Sequence, residues 1–201
     1  MKKNNQLIIV AKYIYFQKIN TAKPKETTQE QNMLDLQYMI LLSKTGKVRC
    51  IRWYGDYTSK EKQLLLKDII SLVLTRSAKE SNIIEYDMTG YATKNTSKNG
   101  HRIMYKRYAS LYFVAGIEDS NSSNELLILE AIHRFVETLD KYFGNVCELD
   151  IIYNFEKCYY IMLETFSCEG NLLESNKRKI LQDIQIMDQI ESGEGLSGLL
   201  G

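Results

Sequence analysis

Residues 36–54 read LQYMILLSKTGKVRCIRWY, and this stretch decides the fold class. An apolar run over residues 36–43 is followed by the turn pair Thr45-Gly46, and then by a segment in which apolar and charged residues alternate. Such alternation is typical of a strand with one covered face. A glycine-containing turn between two strand-like segments is typical of a β-hairpin. The stretch therefore predicts two strands joined by a short turn.

One helix and three more strands are predicted downstream of this hairpin. Residues 58–61, TSKE, have the pattern of a helix capping box. Residues 83–86 predict a third strand, whereas residues 103–117 are rich in aromatic and β-branched side chains and are long enough for two. The apolar residues that follow the capping box recur at helical spacing and predict one buried face: Leu66, Ile69, Ile70 and Val73.

The second half of the chain predicts three helices. Residues 122–125, SSNE, form another capping-box pattern, and Gly144 suits the end of the helix that follows. Residues 150–166 predict one further helix, and a last amphipathic helix carries Ile180 and Ile184. Strands first and helices later predict an α+β domain, with an antiparallel sheet covered by helices. The first of these helices would bury Leu129, Ile132, Val136, Leu139 and Phe143. The second would bury Ile151, Phe155, Cys158 and Met162.

Changes in composition divide the chain into three parts. Residues 1–34 are expected to be a flexible extension that contains the only proline, and residues 35–192 to be the folded domain. Within that domain, polar residues near 88–101 predict a long hairpin loop. Residues 193–201 are rich in glycine and predict a flexible tail.

Charge and composition exclude several classes of function. The 201 residues carry a formal net charge of +1, so no field of the whole chain would attract nucleic acid or an acidic membrane. The apolar stretch over residues 7–16 is far shorter than a membrane span requires, and no other segment is a candidate. Four cysteines without a CxxC pair and only two histidines predict reduced thiols and neither a metal nor a cofactor.

Three candidate sites for chemistry are weak. Glu130 and His133 have the spacing of a di-iron ligand pair, but the chain offers no second copy on another helix. Cys147 with His133 could form a thiol nucleophile, yet nothing in the sequence orients the two side chains. Basic and aromatic residues mix over residues 102–108, but this run is too short to indicate nucleic-acid binding. The expectation is a protein that is not an enzyme.

Three segments carry a resemblance to a known family. They are Gly46-Lys47-Val48-Arg49 with Trp53-Tyr54, then residues 105–113, YKRYASLYF, and then residues 130–155, EAIHRFVETLDKYFGNVCELDIIYNF. In this order they resemble the small (sigma) subunit of heterotetrameric clathrin adaptor complexes, over residues 36–191. Residues 106–112 are more similar to the trans-Golgi and endosomal type than to the plasma-membrane type. Residues before Met33 and most of the loop up to Gly100 depart from the family pattern.

The resemblance implies a fold and a function. The family's fold is a longin-like (SNARE-like) domain, a five-stranded antiparallel sheet flanked by helices. The small subunit binds acidic dileucine signals, which carry an acidic residue four positions before a Leu-Leu or Leu-Ile pair. By resemblance, Arg49 meets the acidic residue, with a second basic residue from a large subunit. The positions that match the leucine pockets are Ala109, Leu111, Val136, Asn145, Val146 and Ile151.

The implied partners are large and medium adaptor subunits, acidic dileucine peptides of membrane cargo and, indirectly, clathrin. Membrane contact would come through the complex, on trans-Golgi and endosomal membranes and on clathrin-coated vesicles, with the chain on the cytoplasmic side. Two alternatives remain open. One is a longin-type subunit of another adaptor or of a coatomer, without dileucine binding. The other is a small enzyme that uses His133 or Cys147.

Overall fold

The structure is a computed structural model, and it describes residues 34–77, 79–87, 100–118 and 124–192. The five strands are β1 (Leu36–Ser43), β2 (Val48–Trp53), β3 (Ile83–Tyr86), β4 (His101–Tyr108) and β5 (Leu111–Glu118). The helices of the described residues are α1 (Ser59–Thr75), α2 (Glu125–Phe143), α3 (Glu148–Tyr153), α4 (Phe155–Thr165) and α5 (Lys177–Ser192).

The strands form one antiparallel sheet in the order β2-β1-β5-β4-β3. The predicted strands and the α+β class are therefore confirmed, including the division of residues 103–117 into two strands that pair from His101↔Glu118 to Tyr108↔Leu111. The first hairpin turn places Gly46 in the left-handed region, with a φ of 79°. Only glycine adopts this backbone conformation without steric cost.

Helices cover both faces of the sheet. Along β1, Tyr38 and Ile40 pack with α1 on one face, and Met39 and Leu41 pack with α2, α4 and α5 on the other. Burial on both faces explains why β1 is a continuous apolar run and does not alternate. The buried face of α1 is centred on Leu65, Ile69 and Val73, so it is rotated from the predicted stripe, of which Leu66 and Ile70 are only half-buried.

Capping residues set the helix ends. The predicted capping box at α1 is confirmed: the Thr58 amide donates to Glu61 Oε2 at 2.7 Å and the Glu61 amide donates to Thr58 Oγ1 at 3.4 Å. The second predicted box begins at Ser122, which lies outside the described residues. The cap of α2 is Asn124, because its Oδ1 accepts from two amides of the first turn. Gly144 ends α2 as predicted, with a φ of 67°.

The single helix predicted over residues 150–166 is wrong, because Asn154 divides it. Asn154 has φ −122° and ψ 42°, and its Nδ2 donates to the Asp150 carbonyl at 3.1 Å. A side chain that bonds the local backbone competes with helix continuation. The break turns Phe155 out of the predicted buried stripe, and 57% of its surface is exposed.

Most of the predicted extension, hairpin loop and tail lie outside the described residues. Two exceptions are informative. Leu34 is buried, and its amide donates to Asn171 Oδ1 at 3.0 Å. His101, at the end of the predicted loop, is the first residue of β4 and is buried beside Tyr38, whose hydroxyl lies 2.9 Å from His101 Nε2.

Candidate functional site

Two hairpin turns meet at one end of the sheet. Ser43 at the end of β1 pairs with Leu111 at the start of β5, and the Lys44 amide donates to the Ser110 carbonyl at 2.9 Å. Ala109, in the β4–β5 turn, is exposed and has a φ of 51°. An alanine in this backbone region is uncommon. This end of the sheet therefore brings together two of the predicted pocket residues, Ala109 and Leu111.

A β-bulge aims Arg49 at the helices. Leu41 pairs with Cys50 and Leu42 pairs with Val48, so Arg49 is the extra residue of β2. A bulge re-aims a side chain that regular alternation would place on the other face. Val48 accordingly packs on the α1 side, while Cys50 packs on the side of α2 and Arg49 reaches Glu148 of α3.

Arg49 is already paired within the chain. Its Nε and Nη2 both donate to Glu148 Oε1, at 3.0 Å and 2.5 Å. The two side chains are 20% and 23% exposed, so the pair is largely shielded from water. Charge-assisted hydrogen bonds in such a setting are stronger than those between fully exposed groups. The residue predicted to meet an acidic peptide side chain thus carries an acidic partner of its own.

Four of the six predicted leucine-pocket residues share one apolar cluster. Leu111, Val136 and Ile151 come from β5, α2 and α3, and Val146 packs against the same cluster from the α2–α3 corner. The exposed fractions of Leu111, Val136 and Ile151 are 3%, 7% and 0%. Val136 is therefore buried, as its place on the predicted apolar stripe of α2 implies, and α3 packs Ile151 into the same cluster. We call this region the leucine cleft; its role stays a prediction.

Positive φ angles form the corner between α2 and α3. Gly144 and Asn145 both have a φ of 67°. Asparagine tolerates this left-handed region better than most residues do. Asn145 is exposed and does not join the buried cluster. Like Ala109, it is a predicted pocket residue that lies at the surface.

Two carboxylates hold the backbone of the same corner. The Val146 amide donates to Asp140 Oδ1 at 3.1 Å, and the Cys147 amide donates to Asp150 Oδ2 at 2.8 Å. The hydrogen bond from the Cys147 amide holds the pKa of Asp150 below its ordinary value. The corner therefore enters α3 with its backbone amides already satisfied.

Sequence reasoning missed Glu148, although a signal for the bulge was present. Val48 and Ile51 both pack on the α1 side, yet they are three residues apart, which breaks the period of two expected of a regular strand. That irregularity marks an extra residue between them. The partner of Arg49, 99 positions further along the chain, has no sequence signal of its own.

The alternative chemical sites are not assembled. His133 Nδ1 lies 3.0 Å from the Tyr108 hydroxyl, and the two rings stack at 6.1 Å. Glu130 instead pairs with Arg134 at 2.9 Å. Cys147 is exposed. Among residues 34–77, 79–87, 100–118 and 124–192, no group of three or more His, Cys, Asp or Glu could hold a metal ion. Nor does any helix of those residues have the length and hydropathy to cross a bilayer.

Comparison with known proteins gives the same family from a family model and from individual relatives. The family model described as clathrin adaptor complex small chain matches residues 35–191. The AP-1 complex subunit sigma-1 of Saccharomyces cerevisiae is 45% identical over 168 residues, which cover 84% of this chain and 99% of that relative. The AP-1 complex subunit sigma-1 of Schizosaccharomyces pombe is 46% identical over 151 residues, covering 75% and 84%.

Structural comparison supports the fold alone. A chain in a homology model of the full-length AP-3 complex in a stretched open conformation aligns with a TM-score of 0.57 and 24% identity, covering 79% of this chain and 96% of that chain. The sequence relatives are AP-1 sigma subunits, in agreement with the trans-Golgi and endosomal subtype expected from residues 106–112. The family consists of non-enzymatic adaptor subunits, and on a match that spans residues 35–191 this chain belongs to the clathrin adaptor complex small chain family.

Proposed function

We propose that this chain is the small subunit of an AP-1-type adaptor and that, together with a large subunit, it binds acidic dileucine signals of membrane cargo. The leucine pair would enter the leucine cleft, and the acidic residue would bind Arg49. The observation that carries this proposal is the bulge, which delivers Arg49 to the same side of the sheet as Leu111, Val136 and Ile151.

The dimensions suit such a ligand. Leu42 of β1 pairs with Val48 on one side and with Tyr112 on the other, so Arg49 and Leu111 flank β1 at the same end of the sheet. Two strand spacings place their backbones roughly 10 Å apart. Four residues of extended peptide span about 13 Å, which allows one side chain to reach Arg49 while the leucines reach the cleft.

The energetics require the cleft to open. Burying each leucine side chain contributes about 1.5–3 kcal/mol before ordering costs. The cluster residues are buried, so this gain is available only after α3 or its neighbours move. We therefore propose that the structure represents the unliganded, closed cleft.

The outer side of α3 supplies a face for the large subunit. Its apolar side chains Leu149, Ile152 and Tyr153 are exposed, and Phe155 continues the same face. These four exposed apolar side chains lie within residues 149–155, and exposed apolar groups of this kind suit a partner with an apolar surface. The large subunit is the proposed occupant. The medium subunit, clathrin and trans-Golgi or endosomal membranes would be reached through the assembled complex.

The domain limits follow as part of the proposal. Residues 35–192 would form the adaptor domain, because the family match spans 35–191. Because Leu34 is buried and His101 begins β4, the proposed additions to that domain are residues 1–33, 88–100 and 193–201. Deleting residues 1–32 should leave assembly with the large subunit intact, measured by co-purification. Loss of co-purification would show that the domain limit is wrong.

Peptide binding to the reconstituted complex tests the function. The complex should bind a peptide with Glu four positions before Leu-Leu, and replacing both leucines by alanine should abolish binding. In a double-mutant cycle, Arg49→Ser and replacement of the peptide Glu by Ala should be coupled, because each removes one half of the same pair. Additive losses would show that Arg49 does not meet the acidic residue.

A variant of the cleft completes this test. Val146→Asp should reduce affinity at least tenfold, because the half-buried Val146 borders the cleft. A tenfold loss requires only about 1.4 kcal/mol. Ile186→Asp makes the same change at an exposed apolar residue of α5 and should bind peptide normally. If Val146→Asp and Ile186→Asp bound the peptide with the same affinity, the proposed position of the cleft would be wrong.

A further inference from the structure

The ion pair between Arg49 and Glu148 fastens α3 to the sheet. Glu148 is the first residue of α3, and both Arg49 donors converge on its Oε1. Within the described residues, Glu148 is the acidic group that contacts Arg49. A peptide carboxylate that binds the edge of the guanidinium formed by Nε and Nη2 would take the place of Glu148.

The same helix closes the leucine cleft. Ile151 lies three residues after Glu148, so both side chains lie on one side of α3, while Leu149, Ile152 and Tyr153 lie on its exposed side. The inner side of this six-residue helix thus has two anchors, one ionic and one apolar. Releasing the ionic anchor loosens the element that carries the apolar one.

Both ends of α3 are breaks in helical geometry. Gly144 and Asn145, each with a positive φ, precede it, and Asn154 at ψ 42° follows it. Hinges are short segments of this kind, which absorb backbone rotation at the ends of an element. A short helix between two such segments can move as a unit while the sheet and α2 remain in place.

We propose that Glu148 is an internal competitor of the acidic residue in a dileucine signal, and that its displacement from Arg49 releases α3 and opens the leucine cleft. This inference rests on the proposed function. Glu148 then restrains every ligand equally, because each must break the pair; an acidic side chain offsets that cost by replacing Glu148, whereas a peptide without one puts nothing in its place. The acidic residue is then required for opening as well as for contact.

Energetics set the expected size of the effect. Exchange of one carboxylate for another on Arg49 costs little free energy. Breaking the pair without a replacement costs all of the free energy that the pair contributes to the closed state. For a largely shielded surface pair, that contribution corresponds to about fivefold in affinity, or about 1 kcal/mol. Glu148→Gln keeps the size of the side chain and removes its charge, so it removes this cost for every ligand.

The experiment measures two peptides on the reconstituted adaptor complex. One peptide carries Glu four positions before Leu-Leu, and the other carries Ala at that position. Glu148→Gln should raise the affinity of both peptides about fivefold. A gain for the acidic peptide alone would indicate simple charge repulsion and overturn the opening mechanism, and a gain for neither would overturn the competition itself. Glu80→Gln, the same change in an ion pair with Arg76 after α1, should alter neither affinity.

Hydrogen exchange without peptide separates this inference from the function on which it rests. In the complex, the amides of residues 148–153 should exchange faster in Glu148→Gln than in the wild type, while those of β5 remain unchanged. Unchanged exchange in α3, with peptide binding intact, would refute the fastening role and leave the proposed function standing. Failure of the wild-type complex to bind either peptide would overturn the proposed function, and the inference with it.

Discussion

His101 should make the stability of this domain fall in mild acid. The imidazole is 2% exposed at the start of β4, between Tyr38 and Tyr86, and burial lowers its pKa from 6.5 to about 4. The unfolded chain therefore binds a proton below pH 6.5 that the folded chain does not take up until about pH 4. Stability contributed by the neutral ring is complete above pH 6.5 and is lost between these two values.

The size of this effect follows from the two pKa values. Each pH unit between them is worth about 1.4 kcal/mol, so the whole loss is about 3 kcal/mol. Between pH 7 and pH 5 the loss should be about 2 kcal/mol. The assay is urea unfolding of the chain at both pH values, comparing wild type with His101→Gln.

Two variants distinguish the cause of the lowered pKa. His101→Gln should remove this difference in unfolding free energy between the two pH values, since glutamine does not titrate, while other titrating groups contribute equally to both proteins. Tyr38→Phe removes the hydroxyl 2.9 Å from Nε2 and keeps the ring, so the pH dependence should persist if burial is the cause. Identical pH dependence in wild type and His101→Gln would refute the reasoning.

Three further substitutions have definite expected outcomes. Gly116→Ala should lower the free energy of unfolding by about 2 kcal/mol, as overpacking of a core commonly does. The added Cβ would overlap the ring of buried Tyr38, and an unchanged melting temperature would contradict this packing. Val136→Asp should abolish both assembly and peptide binding, because an unpaired carboxylate in the buried cluster costs several kcal/mol; intact co-purification would show that the site is solvated. Phe155→Ser should weaken co-purification with the large subunit, whereas Leu126→Ser, at an exposed residue of α2, should not. If Phe155→Ser and Leu126→Ser weakened co-purification equally, the proposed large-subunit face at residues 149–155 would be wrong.

The strands were predictable because their signals are local. Residues 36–54 specify a hairpin through an apolar run, a turn glycine and alternation, and Gly144 ends α2 as glycine commonly does. The helix boundaries were less predictable. Asn154 divides a continuous helical pattern through a bond to the Asp150 carbonyl, a choice that the apolar spacing does not encode.

The leucine cleft illustrates the same difference. Family resemblance selected Leu111, Val136 and Ile151, and the structure places them in one cluster. Helical spacing predicted that Val136 and Ile151 are buried. It did not predict that both join the cluster of Leu111, because this depends on how α3 packs against the sheet, where Glu148 contacts Arg49 across 99 positions.

By itself, the sequence determined the class of fold, the strands and the family, because these depend on local periodicity and on recognisable segments in a fixed order along the chain. Only the tertiary structure decided where Arg49 points and which residue neutralises it. The bulge between Val48 and Cys50 turns a side chain that simple alternation would place on the opposite face. A closed cleft and a paired arginine are properties of contacts between distant segments, and such contacts form only when the sheet and its helices pack together.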